Sequence, residues 1–286
     1  MAKIGIVGYG VVGQAVGDGF ATNKRNEILW YSRTKGPFSP EKVIKESEFI
    51  FVCVPTPMFA DHSGIDLSIM EKTIAFIAPK IKGTDKILTI KSTVVPGTTA
   101  GFAKKYPGVN FAMNPEFLTE ANAPWDFMHP DRTVIGAFSQ PVSARLVALY
   151  QGIYGPNGKI FLTDPTTAEM VKYMSNIFLA TKVMIANEMF DLCNTLGIKY
   201  EEVAKMVAAD PRIMESHLSV TSVRGFGGKC FPKDTVALLG LAKKLKVELP
   251  VTQTMWERNL KIRKLRDWEE IRGAVNHSKR KPSKKK

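Results

Sequence analysis

The feature that most constrains the fold is the glycine pattern Gly8-x-Gly10-x-x-Gly13. It follows an apolar stretch at residues 3–7 with the pattern of a buried strand, and it precedes a helix-like stretch. In such a unit the first glycine permits a tight turn, the second lets the backbone approach a pyrophosphate, and the third allows close packing of helix and strand. The helix N-terminus then attracts the phosphate charge. The predicted dinucleotide contacts here are Gly8, Gly10, Val11, Val12 and Gly13.

Strand and helix patterns alternate through the first 163 residues. The continuous apolar run at residues 49–54 is typical of a strand buried on both faces. Shorter strand patterns occur at residues 28–31, 87–90, 111–113 and 134–135. This alternation predicts an α/β fold with a Rossmann-like, doubly wound and mostly parallel sheet.

The pattern changes near Asp164-Pro165. Residues 166–196 carry apolar side chains at helical spacing without glycine or proline, which predicts a long central helix. Further helical patterns cover residues 201–209, about 232–245 and about 251–271. We therefore expect three parts: a dinucleotide-binding domain over 1–163, an all-α domain over 164–262 and a basic C-terminal tail over 263–286.

Charge is concentrated at the C-terminal end. The sequence has 40 Lys+Arg and 27 Asp+Glu, a formal net charge of +13, and twelve basic against three acidic residues lie between Arg258 and Lys286. Such a run is usually a solvated terminus, and no nucleic-acid-binding motif lies beside it, so nucleic acid is not an expected partner.

No apolar run is long enough for a membrane span, and no signal peptide pattern is present. Three cysteines are too few for a disulfide framework, which indicates a cytoplasmic protein. No metal site is predicted.

The second dense motif is Gly227-Gly228-Lys229-Cys230-Phe231-Pro232-Lys233-Asp234. Cys230 precedes a predicted helix start, where two lysines and the helix N-terminus favour its thiolate. This is the pattern of an activated nucleophile, and Asp234 lies four residues on. The alternative interpretation of a lone cysteine, an inert core residue, suits Cys53 and Cys193 better.

The acidic residue of an NAD site is missing. It should follow the second strand, about 20 residues after the glycines. Ser32 and Arg33 stand there instead. Either they bind the 2′-phosphate of NADP, or Arg33 stacks on the adenine of NAD, and the sequence leaves both open.

Polar segments follow three further predicted strands: Val54-Pro55-Thr56-Pro57, Lys91-Ser92-Thr93 and Asn114-Pro115-Glu116-Phe117-Leu118-Thr119-Glu120. Ligands of doubly wound folds bind at the carboxyl edge of the sheet, so these segments are expected to line one cleft. The two glutamates there either perform acid–base chemistry or cap a helix. Lys172 and Asn176 lie four residues apart on the long helix, with Glu169 beside them, and taken alone indicate a solvated helix surface.

Together these motifs resemble the UDP-glucose/GDP-mannose dehydrogenase family, in the family's order and over about residues 1–260. The segments 168–172 with Asn176 and 210–213 add to the match, and the Cys-x-x-Lys-Asp loop at 230–234 is its most specific part. The resemblance implies that the C6 alcohol of a nucleotide sugar is oxidised to a carboxylate in two hydride transfers to NAD or NADP. It also implies a place in polysaccharide biosynthesis.

The resemblance also implies roles for single residues. Cys230 would carry the substrate as a thiohemiacetal and then as a thioester, and Lys172 would stabilise oxyanions. Asp234 and Thr93 would hold a water, Glu116 would be the general base in hydrolysis, and Asn176 would bind the sugar. The implied cofactor contacts are the glycine-loop residues with Ser32, Arg33, Val54, Pro55, Thr56 and Thr93. The implied substrate contacts are Glu116, Phe117, Leu118, Glu120, Lys172, Asn176, Arg212, Phe226 and Gly227. Arg212 would reach the substrate of the partner subunit in a homodimer built on the long helix.

Members of this family normally carry a third domain, an α/β unit that holds much of the nucleotide half of the substrate, and this chain is expected to lack it. Two alternatives therefore stay open. A β-hydroxyacid-type dehydrogenase also pairs a Rossmann domain with a helical domain and uses a helix Lys with an Asn four residues on, but the Cys-x-x-Lys-Asp loop argues against it. The chain would otherwise be a non-catalytic cofactor-binding partner or one half of a split enzyme.

Overall fold

A computed structural model describes residues 1–34, 36–271 and 273–277, so residues 278–286 of the predicted basic tail lie outside the described residues. The chain divides into two compact units. The first comprises Met1–Thr56 and Leu67–Lys172, and the second comprises Pro57–Asp66 and the chain from Tyr173 onward. The domain boundaries expected after residues 163 and 262 stay predictions.

The secondary structure of the described residues follows the chain in this order. The strands are β1 (Lys3–Val7), β2 (Glu27–Tyr31), β3 (Phe49–Val52), β4 (Met58–Phe59), β5 (Ile87–Ile90), β6 (Asn110–Met113), β7 (Thr133–Ala137), β8 (Ile160–Thr163) and β9 (Val275–Asn276). The helices are α1 (Val11–Ala21), α2 (Pro40–Glu46), α3 (Ser68–Ile81), α4 (Thr98–Lys105), α5 (Ala123–Met128), α6 (Gln140–Tyr154), α7 (Pro165–Leu196), α8 (Tyr200–Ala208), α9 (Cys230–Leu245), α10 (Pro250–Ile262) and α11 (Asp267–Glu270). Within these residues, no helix has both the length and the apolar character that crossing a bilayer requires.

A seven-stranded sheet in the order β2-β1-β3-β5-β6-β7-β8 forms the centre of the first unit. Neighbouring strands are parallel except β6 and β7, which run antiparallel. The mostly parallel α/β sheet and the long helix α7 are thus confirmed.

Both faces of the sheet are covered, as its apolar strands require. In β3, Ile50 and Val52 belong to one apolar cluster, which α3 completes with Met70 and Ile74. The alternate residues Phe49 and Phe51 belong to a second cluster with side chains of α1, α5 and α6. The period-2 alternation of a strand thereby fixes which helices lie on which face.

The carboxyl ends of β1, β3, β5 and β6 lie along one edge of the sheet, because these strands are parallel neighbours. β2 lies on one side of β1 and β3 lies on the other, so the order in which successive strands join the sheet reverses at β1. A reversal of this kind is where doubly wound sheets bind ligands.

The second unit is mainly helical. Ala186, Cys193 and Tyr200 form a small core between α7 and α8, so Cys193 is the buried residue that the sequence indicates. Between residues 164 and 262 the regular elements are all helices, as expected. A parallel strand pair, β4 with β9, also belongs to this unit but lies outside that range. One expectation was wrong: the helix predicted to reach residue 271 ends at Ile262, and α11 follows as a separate short helix.

Candidate active site

The glycine-rich loop joins β1 to α1 at the carboxyl edge of the sheet. Gly8 has φ +96°, and a Cβ atom there would lie 2.5 Å from the carbonyl oxygen of Cys53. A Cβ on Gly13 would lie 2.0 Å from the carbonyl oxygen of Gly8. Side chains are therefore excluded at both positions by neighbouring backbone. A Cβ on Gly10, by contrast, would meet no described atom within 4 Å, so space is open beside this residue.

The loop fits the pyrophosphate of a dinucleotide. Helix α1 begins at Val11 with Gly10 as its N-cap, and no side chain that the structure describes caps it. The first N–H groups of a helix have no intrahelical partner, and together with the helix dipole they attract a phosphate. Open space beside Gly10 leaves room for that group. The predicted contacts Gly8, Gly10, Val11, Val12 and Gly13 thus lie together.

Ser32 and Arg33 lie beside this loop. The N–H of Gly8 donates to the carbonyl oxygen of Tyr31 at 2.9 Å, and Ser32 and Arg33 follow directly. Ser32 is half-buried and Arg33 is exposed. Both residues therefore lie directly after the end of β2, where the sequence predicts contacts with the cofactor.

The segments after β3 and β5 are tied to each other. The Thr56 hydroxyl donates to the carbonyl oxygen of Thr93 at 2.9 Å, and the Ser92 hydroxyl donates to that of Val54 at 2.7 Å. Thr93 is buried, whereas Pro55 is exposed. The structure thus brings Val54, Pro55, Thr56 and Thr93 together at the carboxyl edge.

A buried polar network holds the segment after β6. Lys91 Nζ donates to Asn114 Oδ1 at 2.7 Å, Asn114 Nδ2 donates to the carbonyl oxygen of Val134 at 2.6 Å, and the Tyr150 hydroxyl also donates to Asn114 Oδ1. Burial lowers the pKa of Lys91 to about 8. Burial also raises the pKa of the Cys53 thiol to about 12, so this thiol stays protonated at neutral pH.

Glu116 and Lys172 form a buried ion pair. Glu116 Oε1 lies 3.0 Å from Lys172 Nζ, and Glu116 Oε2 accepts the N–H of Leu118 at 2.8 Å. Burial by itself would raise the pKa of Glu116, but the Lys172 ammonium and these hydrogen bonds outweigh it and hold that pKa below its ordinary value. Lys172 Nζ also lies 5.7 Å from the centre of the Phe117 ring. The carboxylate is therefore ionised, and both charged groups are fixed in place.

The expectation of a solvated helix surface at Lys172, Asn176 and Glu169 was wrong. Their exposed fractions are 3%, 7% and 0%. Glu169 accepts hydrogen bonds from the N–H groups of Gly97 at 2.6 Å and Thr99 at 2.8 Å, which are the orphan donors at the start of α4. Glu169 is thus a buried helix cap. Glu120, another of the implied substrate contacts, is exposed.

Cys230 and Asp234 lie at the start of α9. Cys230 is the first residue of the helix and is exposed, whereas Asp234, one turn later, is completely buried. Asp234 Oδ2 accepts a hydrogen bond from Asn176 Nδ2 at 2.5 Å, and the Lys233 ammonium contacts Asp234 Oδ1. The first N–H groups of a helix favour a thiolate at this position. The arrangement places an exposed thiol one helical turn before a buried, hydrogen-bonded carboxylate.

Two asparagines that the sequence analysis missed hold the glycine loop before Cys230. The side chain of Asn259 accepts the N–H of Phe226 at 2.8 Å and donates to its carbonyl oxygen at 3.1 Å. Asn187 Oδ1 accepts the N–H of Gly225 at 3.0 Å. Phe226, a predicted substrate contact, is buried, while Gly227 is half-buried. An asparagine at helical spacing from apolar residues is the sequence signal that would have identified both.

Arg212 lies beyond the end of α8. Its side chain is 87% exposed, and its Nε and NH2 groups contact the Asp210 carboxylate at 3.0 and 2.6 Å. Arg212 is therefore displayed on the surface of the second unit. Among the described residues, no group of three or more His, Cys, Asp and Glu side chains is arranged to hold a metal ion.

Models of two domains of one family match this chain. The NAD binding domain of the UDP-glucose/GDP-mannose dehydrogenase family matches residues 32–154, and the central domain of that family matches residues 166–261. The chain belongs to the UDP-glucose/GDP-mannose dehydrogenase family. The resemblance seen in the motifs is thereby confirmed, and the Cys-x-x-Lys-Asp loop falls within the central-domain match.

Curated relatives are similar over most of this chain. UDP-glucose 6-dehydrogenase of Rickettsia bellii (strain RML369-C) is 35% identical over 237 residues, which are 82% of this chain and 54% of that protein. UDP-glucose 6-dehydrogenase TuaD of Bacillus subtilis (strain 168) is 34% identical over 227 residues, 77% of this chain and 48% of that protein. The chain spans about half the length of these relatives.

Solved structures show the same fold. A UDP-glucose dehydrogenase from Pyrobaculum islandicum aligns with a TM-score of 0.81 at 29% identity, covering 91% of this chain and 68% of that one. The 3-hydroxyisobutyrate dehydrogenase of Mycobacterium tuberculosis aligns with a TM-score of 0.73 at 12% identity, covering 91% of this chain and 93% of that one. The second similarity is one of fold alone.

Proposed function

We propose that this chain is an NAD-dependent nucleotide-sugar 6-dehydrogenase that oxidises a C6 alcohol to a carboxylate by way of Cys230. The observation that carries the proposal is the exposed Cys230 at the first residue of α9, with the buried Asp234 held by Asn176 one turn later. A one-step alcohol dehydrogenase has no use for such a nucleophile. A two-step oxidation needs one to retain the aldehyde.

Two molecules of nicotinamide dinucleotide, held in turn at the glycine loop after β1, would supply the oxidant, each taking one hydride from C6. In the first oxidation the C6 hydroxyl also loses its proton to solvent, and an aldehyde results. Cys230 Sγ then bonds to the aldehyde carbon, the oxygen takes a proton, and loss of the second hydride and that proton leaves a thioester. Water adds to the thioester carbon and gives one proton to Glu116, the C–S bond breaks, and the carboxylate and the Cys230 thiolate are released as the second proton passes to solvent.

The ionised pair of Glu116 and Lys172 supports two roles in this sequence. Lys172 stabilises negative charge on the C6 oxygen, which is the function of an oxyanion hole. Glu116 is ionised and so able to accept a proton from the attacking water. In the same proposal Asp234 and Thr93 hold that water, and Asn176 binds the sugar.

The cofactor and the sugar are proposed from the family match and the named relatives. NAD is preferred because the family's first domain is an NAD binding domain, although Ser32 and Arg33 replace the usual carboxylate. The relatives named for UDP-glucose favour a UDP-hexose as substrate. The test measures production of reduced cofactor from NAD or NADP with UDP-glucose, GDP-mannose and N-acetylated UDP-hexosamines.

The decisive variant is Cys230→Ser, with Cys193→Ser as its matched control because Cys193 is a free cysteine buried in the small core between α7 and α8. We expect carboxylate formation to be lost in Cys230→Ser and retained in Cys193→Ser. Absence of turnover on every sugar with folded wild-type protein would refute the proposal, and so would full activity of Cys230→Ser.

A second candidate is a one-step dehydrogenase of the β-hydroxyacid type. The fold similarity to a 3-hydroxyisobutyrate dehydrogenase, over 93% of that chain, favours it. The two candidates predict opposite results for Cys230→Ser, since a one-step enzyme keeps its activity without the thiol. Turnover of short hydroxyacids would support this second candidate.

The exposed face of α7 supports a homodimer. Large apolar side chains recur there at helical spacing and are 44–65% exposed; they are Met174, Phe178, Ile185, Met189, Leu192 and Leu196. A monomer rarely exposes a continuous apolar stripe of this kind. We propose that a second copy of the chain covers this stripe and that Arg212 of each copy serves the partner's substrate.

A further inference from the structure

Residues 263–271 and 273–277 follow the central-domain match and fall in the part that the sequence assigned to a basic tail. The structure folds them onto the second unit instead. Trp268 of α11 is completely buried, with its ring centre 5.7 Å from that of Trp256 in α10. Asn276 of β9 donates from Nδ2 to Asp66 Oδ2 at 2.6 Å. This segment is therefore an integral part of the unit that carries Cys230.

An ion pair at the start of the segment contacts the glycine loop. Arg263 NH2 lies 3.1 Å from Asp267 Oδ1. Arg263 NH1 also donates to the carbonyl oxygen of Arg224 at 2.9 Å, and Asp267 Oδ2 accepts the N–H of Gly228 at 3.1 Å. The pair thus binds the loop backbone on both sides of Gly227.

Gly227 shows how closely the loop lies against this pair. A Cβ atom there would be 2.2 Å from Arg263 NH2 and 2.2 Å from Asp267 Oδ1. Gly228 follows with φ +71°, a conformation that side chains rarely adopt. Two successive glycines leave the backbone free to move unless something holds it, and Cys230 begins α9 two residues after Gly228.

We propose that Arg263 and Asp267 are positioning residues for Cys230. The bond from Gly228 to Asp267 sets the path by which the chain enters α9, and this path fixes the first residue of the helix. Without this bond the two glycines can adopt several backbone conformations before α9. Cys230 then no longer holds a constant position relative to the first N–H groups of the helix, and it is this position that favours its thiolate. The catalytic consequence rests on the proposed function, but the effect on the thiol does not.

The first test measures the reactivity of Cys230 in the full chain. Alkylation by iodoacetamide is followed by peptide mass spectrometry between pH 6 and 9 for wild type, Asp267→Ala and Asp267→Asn. The matched control is Glu270→Gln, which changes an exposed carboxylate of the same helix. Cys193 is read in the same spectra as an internal reference, because it is buried in the same unit.

We expect Cys230 in Asp267→Ala to react about tenfold more slowly near pH 7 and to approach the wild-type rate at high pH, because fewer molecules carry the thiolate. Asp267→Asn keeps an oxygen acceptor for Gly228 but loses the charge that faces Arg263, so its rate is intermediate. Glu270→Gln reacts as the wild type does, and Cys193 stays protected throughout. An equal or faster rate at Cys230 in Asp267→Ala overturns the proposal, as does a rise in Cys193 alkylation, which would show general loosening.

The second test uses turnover of whichever nucleotide sugar the wild type oxidises. Asp267→Ala should lower kcat while the KM for the dinucleotide is unchanged, because the variant leaves the glycine loop after β1 intact. If the wild type oxidises no sugar, the proposed function fails while the alkylation result still decides the positioning role. If turnover occurs and alkylation is unaffected, the positioning role fails alone.

Discussion

Asn176 Nδ2 donates a 2.5 Å hydrogen bond to Asp234 Oδ2 and thereby links α7 to the second turn of α9. Asp234 is completely buried, and Asn176 is 7% exposed. A buried carboxylate is stable only when its oxygens are paired and hydrogen-bonded. This bond therefore contributes to the stability of the second unit and fixes Asp234 one helical turn after Cys230.

Asn176→Ala should lower the free energy of unfolding by about 1.5–3 kcal/mol, because it leaves one oxygen of a buried carboxylate without its donor. Urea unfolding followed by circular dichroism measures this change. Asn194→Ala is the matched control, since Asn194 is exposed on the same helix, and it should change stability little. Equal effects of the two substitutions would contradict the importance of the bond to Asp234.

Lys172→Met should destabilise the protein by about 3–5 kcal/mol near neutral pH, because it leaves the Glu116 carboxylate buried without its cation. Lys3→Met is the control: Lys3 pairs with Glu27 at 3.3 Å in an exposed position, and such pairs contribute at most about 1 kcal/mol. If Lys172→Met lowers the free energy of unfolding by no more than Lys3→Met does, the ion pair of Glu116 with Lys172 is not a source of stability.

The same variant has a pH signature. In the wild type the pKa of Glu116 is lowered by its partners, so ionised Glu116 adds to the free energy of unfolding. This contribution is fully present above the unfolded-state pKa of about 4.3, and it is lost as the pH falls through the lower folded-state pKa. Without Lys172, burial raises the pKa of Glu116. The ionised side chain then destabilises the folded protein, and protonation removes this destabilisation. The difference in stability between wild type and Lys172→Met should therefore be largest near pH 7 and narrow as the pH falls toward 4. A constant difference across this range would contradict the assignment.

Local patterns and long-range contacts were not equally predictable from the sequence. The glycine loop and the i, i+4 spacing of Cys230 and Asp234 are short-range features, so spacing and residue type identified them. Glu116 and Lys172 pair across 56 residues, and only the fold makes them neighbours. Lys172 alone therefore looked like a surface residue.

The end of α10 was missed for a similar reason. The helical pattern continues to residue 271, but Arg263 turns toward the loop carbonyl of Arg224, and Asp267 binds Gly228. Tertiary hydrogen bonds thus outweigh local helical preference, which is a weak term. Strand β8 was also overlooked, because Phe161 and Leu162 at the sheet edge are both 56% exposed and give no alternating pattern.

Gly10→Ala should separate folding from cofactor binding. A Cβ there meets no described atom within 4 Å, and the residue has φ −86°, so the free energy of unfolding should stay within about 0.5 kcal/mol of the wild type. The same methyl group would enter the space that the proposed pyrophosphate needs. NAD binding should weaken about tenfold or more, equivalent to about 1.4 kcal/mol, as measured by calorimetry. Gly101→Ala in α4, where a Cβ also meets no described atom, should leave NAD affinity unchanged, and unaltered affinity in Gly10→Ala would argue against the proposed site.

Phe178→Glu tests the proposed homodimer. Phe178 is 65% exposed within a single chain, so the substitution should not disturb folding of the monomer. In a dimer built on α7 it would bury a charge without a partner, and the dissociation constant should rise by about tenfold or more. Sedimentation velocity across a concentration series measures the shift from dimer to monomer. Phe161→Glu on β8 replaces an aromatic residue of similar exposure outside α7, so it should leave the dimer intact. A monomeric wild type would refute the proposed dimer. Equal dissociation of both variants would show that the subunit contact is not specific to α7.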